Sequence, residues 1–282
     1  MSALSLHKVI EQIRRLPSLP AVVAELLREF DSDGAGTNDL ARKIGQDQAL
    51  SAAVLRLANS SFYGMSGRIS NVQRAAVVLG TQSLRTLAIA AGIVGQYAAI
   101  RCHGFDWRRF WQHAFAAAVC ARALARHCKQ DPDTAFTAAL VHDIGRLALV
   151  TLYPQEYEKV LAHSTELQVS LLDSERLLLG LDHALVGATL AQRWKLPATI
   201  QQAIANHHQP EVQPLCPITD VVHAADRLTQ EPGGTNEQII AELLAAAPGI
   251  RLNLDAQQLK SCADDAVAGA REFGALLLEE YA

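Results

Sequence analysis

No stretch of this chain alternates apolar and polar residues with a period of two, whereas alanine- and leucine-rich runs at helical spacing recur from end to end. That pattern makes an all-α fold the expectation, and the punctuation between runs agrees. "LPSLPAVVAELLREF" reads as a helix with Pro20 in its first turn, ended by "DSDGAG". "TNDLARKIGQDQALSAAVLRLANS" reads as two short helices, with Thr37 as the first N-cap and Gly45 followed by Asp47 as the break. After the loop "SFYGMSGRIS", Ser70 is expected to cap "NVQRAAVVLG". "DWRRFWQHAFAAAVCARALARHC" is one long helix, and Asp131-Pro132 marks a fresh start. The next helix runs through "TAALVHDIGRLALV" to about Tyr153, where Pro154 stops it. Further helical segments follow, interrupted by "QPEVQPLCP", a loop by its three prolines in nine residues, and by the boundary "EPGGT". A final amphipathic helix, "DAQQLKSCADDAVAGAREFGALLLEEY", closes the chain. The expected organisation is an N-terminal helical lobe (1–105), a central helical bundle (106–230) and a C-terminal helical extension (231–282).

Composition sets bounds on function. Half of the 282 residues are apolar, enough for a large core. A net charge of −4 and a pI near 6.2 argue against general nucleic-acid binding or attachment to a membrane surface. Five cysteines without a CxxC read as reduced thiols, and residues 1–20 lack the apolar core of a signal peptide, so a cytoplasmic protein is expected. The longest uncharged stretch, residues 86–100, falls short of the ~20 residues needed to span a bilayer. It reads as a buried helix, without membrane insertion.

The chemistry lies in the histidines. Of ten, His113, His142, His183, His207 and His208 sit beside apolar helical stretches, accompanied by Asp143 and Asp226. Neighbours on a helix point about 100° apart, so His142 and Asp143 cannot aim at one atom. Two close metal ions bridged by the Asp143 carboxylate, with His142 on one of them, satisfy that geometry. Such pairs suit phosphoester hydrolysis. Mixed imidazole and carboxylate donors suit iron, manganese or zinc better than calcium. Structural alternatives stand beside this reading: His142–Asp143 as a buried hydrogen-bonded pair, His207–His208 as cations at a helix C-terminus, and Asp226 as a helical acid paired with Arg227 or Lys195. Glu175, eight residues before His183, is either an added carboxylate or a surface acid, the commoner case. His223, one turn before Asp226, is a supporting or surface residue. Arg146 either salt-bridges within the bundle or meets a phosphate. Asn59 and Ser60 are expected to tie the following loop to the bundle, and Trp107, Trp111 and Trp194 to pack the core.

The order His113 … His142-Asp143 … Asp226 resembles the H…HD…D pattern of the HD superfamily of metal phosphohydrolases. His183 and His207-His208 resemble the fuller ligand set of its HD-GYP branch, the cyclic-di-GMP phosphodiesterases. The blocks "LPSLPAVVAELL", "DQALSAAVLRLANSSFYG", "AAVVLGTQSLRTLAI", "AFTAALVHDIGRLAL" and "DHALVGATLAQRWKLPATIQQAIANHH" together resemble an HDOD domain over roughly residues 12–228. That resemblance implies a regulatory relative of the HD hydrolases, found in bacterial signalling and often joined to receiver or cyclic-nucleotide signalling components. It implies signalling proteins as partners. The likeness to the HD and HD-GYP ligand sets implies a divalent, binuclear metal site built from the seven His and Asp residues; many HDOD members have lost some of these ligands, and this chain keeps His or Asp at every one. Two departures bear on catalysis. The lysine that often follows HD in active enzymes is Arg146 here, and "HHQPEVQPLCP" replaces the acidic, glycine-rich GYP loop. Two function classes therefore stand: a metal-binding signalling protein, and a phosphohydrolase with Asp143 and Arg146 as catalytic residues.

Overall fold

The computed structural model describes residues 6–16, 19–28, 36–59, 68–97, 102–230 and 237–278, which are all-α with no strand among them. The N-terminal part comprises α1 (Leu6–Ile13), α2 (Ala21–Arg28), α3 (Thr37–Gly45), α4 (Gln48–Ala58), α5 (Val72–Leu79) and α6 (Thr81–Tyr97). The centre holds α7 (Trp107–His127), α8 (Pro132–Val141), α9 (Ile144–Leu152), α10 (Pro154–Leu167), α11 (Leu171–Leu179), α12 (His183–Arg193), α13 (Ala198–Asn206) and α14 (Pro217–Thr229). The last helices are α15 (Glu237–Ala245), α16 (Ala247–Leu252) and α17 (Ala256–Leu278).

Side-chain acceptors start many of these helices by taking an otherwise orphaned backbone N–H. Asp47, Asn71, Asp106, Asp131, Ser170 and Asp182 each cap the helix that follows. Two expected caps move by one residue. Asn71, not Ser70, accepts from Arg74 N, and Thr37 is already inside α3, where its hydroxyl meets that of Thr81. The amide of Asn59 donates to the Ile69 carbonyl while its oxygen accepts from Ile69 N, tying Ile69 back to the end of α4. Ser60, "DSDGA" of the expected α2 stop and the "EPGGT" boundary lie outside the described residues.

One contiguous apolar core runs from Val9 to Ala270. Its axis is α7, whose alanine-rich faces let α8, α14 and α17 approach closely. The final helix thus packs on the body along α7. Trp111 is fully buried, Trp194 packs near Tyr97, and the indole N–H of Trp107 donates to the Tyr97 carbonyl. Helix α6 is buried along most of its length, in keeping with the uncharged run that follows Arg85, and Arg85 is itself buried near its start. The run Pro132–Leu152 is long and apolar enough to cross a bilayer, but 83% of its most apolar window lies inside the fold.

That run is not one helix, contrary to the sequence expectation. It breaks at His142–Asp143, where α8 ends and α9 begins. The Ala139 carbonyl accepts from the His142 amide at 3.5 Å and from His142 Nδ1 at 2.6 Å, so the imidazole takes an acceptor that a continuous helix uses for its own ladder. Beyond the break, α9 lies against α12 at backbone contact. A Cβ on Gly145 would fall 1.9 Å from the His183 carbonyl oxygen and 2.6 Å from Gly187 N. Gly145→Ala is therefore expected to force α9 from α12 and to cost about 3 kcal/mol, read from urea denaturation midpoints.

Candidate metal centre

All seven singled-out residues converge at the α8–α9 break. His113 arrives from α7, His142 and Asp143 from the break itself, and His183 from the first turn of α12. His207 and His208 follow α13, and Asp226 comes from α14. Their donor atoms fall into two groups, Asp143–His183–His207–His208 and His113–His142–Asp226, each within 4.8 Å internally. Asp143 Oδ1 lies at the junction: 3.1 Å from His183 Nε2, 3.6 Å from His207 Nε2 and 3.7 Å from His142 Nε2. Asp226 Oδ1 is 3.1 Å from His113 Nε2 and 3.6 Å from His142 Nε2. Asp226 pairs with neither Arg227 nor Lys195; Arg227 instead bonds Glu242. Its other oxygen accepts from Gln230.

The rings are held from behind. A carbonyl can only accept, so His142 Nδ1 donates to Ala139 O, His207 Nδ1 to Ile204 O (2.8 Å) and His113 Nδ1 to Thr229 O (3.4 Å). His183 Nδ1 donates to Glu175 Oε2 at 2.6 Å. Each of these four imidazoles therefore turns Nε2 toward the two aspartates, the tautomer that outer hydrogen bonds select in metal-ligating histidines. His142 Nε2 and His207 Nε2 are buried and have no hydrogen-bond partner. Two such orphaned atoms in one apolar interior are costly unless something accepts their lone pairs.

Glu175 corrects the surface-acid expectation. It is fully buried on α11, accepts from the His183 backbone N–H as well as the ring, and takes the Tyr157 hydroxyl at 2.7 Å on its other oxygen. Only its spacing from His183 pointed to it, because a Glu between Asp173, Ser174 and Arg176 in a helix otherwise made of leucines carries no sign of burial. His223 supports the centre through the backbone: its Nδ1 donates to the His207 carbonyl. Arg146 salt-bridges within the bundle, donating to Asp143 Oδ2 at 2.9 Å beneath the rings of Phe105 and Phe110.

These neighbours set the charges. Burial opposes ionisation of Asp143, but His142, His183 and Arg146 hold its pKa well below the usual carboxylate range. Burial likewise works against Asp226, yet His113 and His142 keep it low. Burial disfavours charging His183, but Glu175 and Asp143 outweigh it and raise its pKa to about 10. His142 is raised against its burial by Asp143 and Asp226. Burial lowers His207, and burial together with His207 and His183 lowers His208 to about 3. In the metal-free protein the three carboxylates are thus balanced by Arg146 and by the protons held on His183 and His142, and a bound cation would have to displace those protons.

A multi-helical bundle with a His/Asp cluster at a broken central helix defines the HD-superfamily class. Within it the chain belongs to the HDOD family: the HDOD domain model matches residues 16–210. It is 26% identical over 202 residues to an uncharacterized protein of Treponema pallidum (strain Nichols), covering 71% of this chain and 39% of that one. The chain thus spans well under half the length of that relative. Among solved structures, an HDOD domain protein of unknown function from Geobacter sulfurreducens superposes with a TM-score of 0.82 at 23% identity, over 97% of this chain and 98% of the other. A Shewanella amazonensis SB2B structure named "Putative phosphohydrolase" superposes with a TM-score of 0.79 at 28% identity, over 97% and 98%.

Glu175→Gln is expected to cost the metal-free protein about 3 kcal/mol, because it removes the nearer of the two anions that hold a buried imidazolium. The same change lowers the His183 pKa from about 10 toward its ordinary value. Guanidinium denaturation and NMR titration of the His183 ring check the two effects.

Proposed function

We propose that this chain is an HDOD signal-transduction protein that holds a pair of divalent metal ions and acts through contacts with other signalling proteins. The observation that carries the metal reading is the orphaned pair, His142 Nε2 and His207 Nε2, buried with their Nδ1 atoms already committed to carbonyls. In this reading His113, His142 and Asp226 hold one ion, and His183, His207 and His208 hold the other, with Asp143 shared between them. Imidazole and carboxylate donors fit iron, manganese or zinc. Bound ions would supply Lewis acidity and a deprotonated water suited to phosphoesters. The chain's own residues hold the frame: Glu175 fixes the His183 ring, and Arg146 anchors the outer oxygen of Asp143.

A second reading, a metal-dependent phosphohydrolase acting on a nucleotide or cyclic dinucleotide, is favoured by the completeness of both donor groups and by the name of the Shewanella relative. Arg146 separates the two. Its NH1 donates to Asp143 Oδ2, whereas a catalytic role requires the guanidinium to meet a phosphate. Partners of the receiver or cyclic-nucleotide signalling kind follow from the family and belong to the first reading.

Metal analysis of purified protein, coupled to hydrolysis assays on a phosphodiester panel, tests both. Two ions per chain without turnover support the first reading; turnover abolished by Asp143→Ala establishes the second. Protein that holds no metal as purified or after reconstitution overturns both. Removing both ions should lower the unfolding free energy by about 5 kcal/mol, about 2.7 kcal/mol for each site held at a metal concentration 100-fold above its Kd, measured by calorimetry. Affinity should fall between pH 7 and pH 5, since protons held by the raised His142 and His183 must be displaced by the ions, as competition titrations at several pH values will read.

A further inference from the structure

Arg251 lies on α16, beyond the stretch matched by the family, yet it reaches the segment that carries two of the central histidines. Its Nε and NH2 donate to the two oxygens of Asp220, at 2.8 and 2.6 Å. NH1 donates to Glu211 at 3.0 Å and NH2 to the Pro210 carbonyl at 3.3 Å. Pro210 and Glu211 stand two and three residues after His208. Asp220, almost fully buried, lies on α14, the helix that also carries Asp226 and His223. One guanidinium therefore clamps the chain leaving His208 onto the helix that supplies Asp226, using its planar fork against a carboxylate on one side and a carbonyl and carboxylate on the other.

The rest of that segment is weakly held. Residues 207–216 form no helix, and Val212 and Leu215 are exposed. Their remaining ties include the His223–His207 carbonyl bond, the short turn bonds Gln209 N–Asn206 O and Val212 N–Gln209 O, and the Gln202 amide on the Pro214 carbonyl. His208 differs from its neighbours in the same way. His113, His142, His183 and His207 each have Nδ1 held by a carbonyl or a carboxylate, whereas His208 meets His183 Nε2 through its Nε2 at 2.8 Å. Its position depends on the course of the backbone after His207. The α16 backbone is itself fixed: a Cβ on Gly249 would fall 1.9 Å from the Leu243 carbonyl oxygen, and Cys128 Sγ donates to the Leu252 carbonyl.

We infer that Arg251 is a positioning residue for the His208 half of the centre, so that the C-terminal segment sets how firmly the Asp143–His183–His207–His208 group holds its ion. This rests on the metal reading above. Mn2+ binding to the full chain, followed by electron paramagnetic resonance of free and bound ion, tests it. Wild-type protein should take up two Mn2+. Arg251→Gln should retain one at near wild-type affinity and weaken the other about 10-fold, the scale of losses when an outer support of a metal site is removed. The exchange-coupled signal of paired ions should fade in parallel. Arg251→Lys, which keeps the charge and can still reach Asp220, should recover part of the loss.

Wild-type-like uptake of both ions by Arg251→Gln overturns the inference alone. So does an equal weakening of both ions that tracks a lower melting temperature of the metal-free variant, the signature of a merely structural clamp. No Mn2+ uptake by the wild type overturns the metal reading itself, and with it this inference.

Discussion

A buried carboxylate organises this protein. Asp143 is only 6% exposed, in the interior of an apolar bundle, where an uncompensated charge would cost several kcal/mol. Its two oxygens divide the compensation. Oδ2 faces the Arg146 guanidinium, and Oδ1 faces the imidazoles of His142, His183 and His207. Four separate elements must meet for that to happen: α9 with Arg146, α8 at its end, α12 at its beginning and the chain after α13. The contact between Gly145 and the His183 backbone is the packing side of the same requirement, because only glycine lets α9 and α12 come near enough.

The break between α8 and α9 resolves the geometric problem posed by adjacent ligand residues. On a continuous helix His142 and Asp143 would diverge by about 100°. The turn between them lets His142 face the His113–Asp226 group while Asp143 faces the His183–His207–His208 group, with 3.7 Å between the two donor atoms. The imidazole itself helps to make the break, since its Nδ1 bonds the Ala139 carbonyl. The same device recurs after α13, where His207 Nδ1 bonds Ile204 O just as the helix ends. Side chains that terminate helices are here the side chains that face the centre, so local structure and site geometry are one feature.

Much of this was legible in the residues. The helical period, the capping aspartates and Asp131-Pro132 mark the elements, because they act within a few residues of chain. The seven His and Asp residues stood out because imidazoles and carboxylates inside apolar helical runs need a reason to be there. Glu175 was not legible in this way. Leu171–Leu179 carries polar residues at several positions, and the burial of Glu175 follows from α11 packing on α10, with Tyr157 waiting for its second oxygen. Arg251 was equally silent, being 31 residues from the Asp220 it grips.

The sequence by itself determined an all-α chain, most of its helix starts to within a residue, the membership of the His/Asp set and the unusual Arg146. Those rest on local propensity and on the chemistry of single side chains, which the order of residues carries directly. Tertiary structure alone decided that the seven donors form two groups joined at Asp143 Oδ1, that Arg146 is bound to Asp143, that Glu175 stands behind His183, and that a C-terminal arginine clamps the segment following His208. Each of these depends on distances between elements far apart in the chain, and those distances are set by how the helices pack around α7.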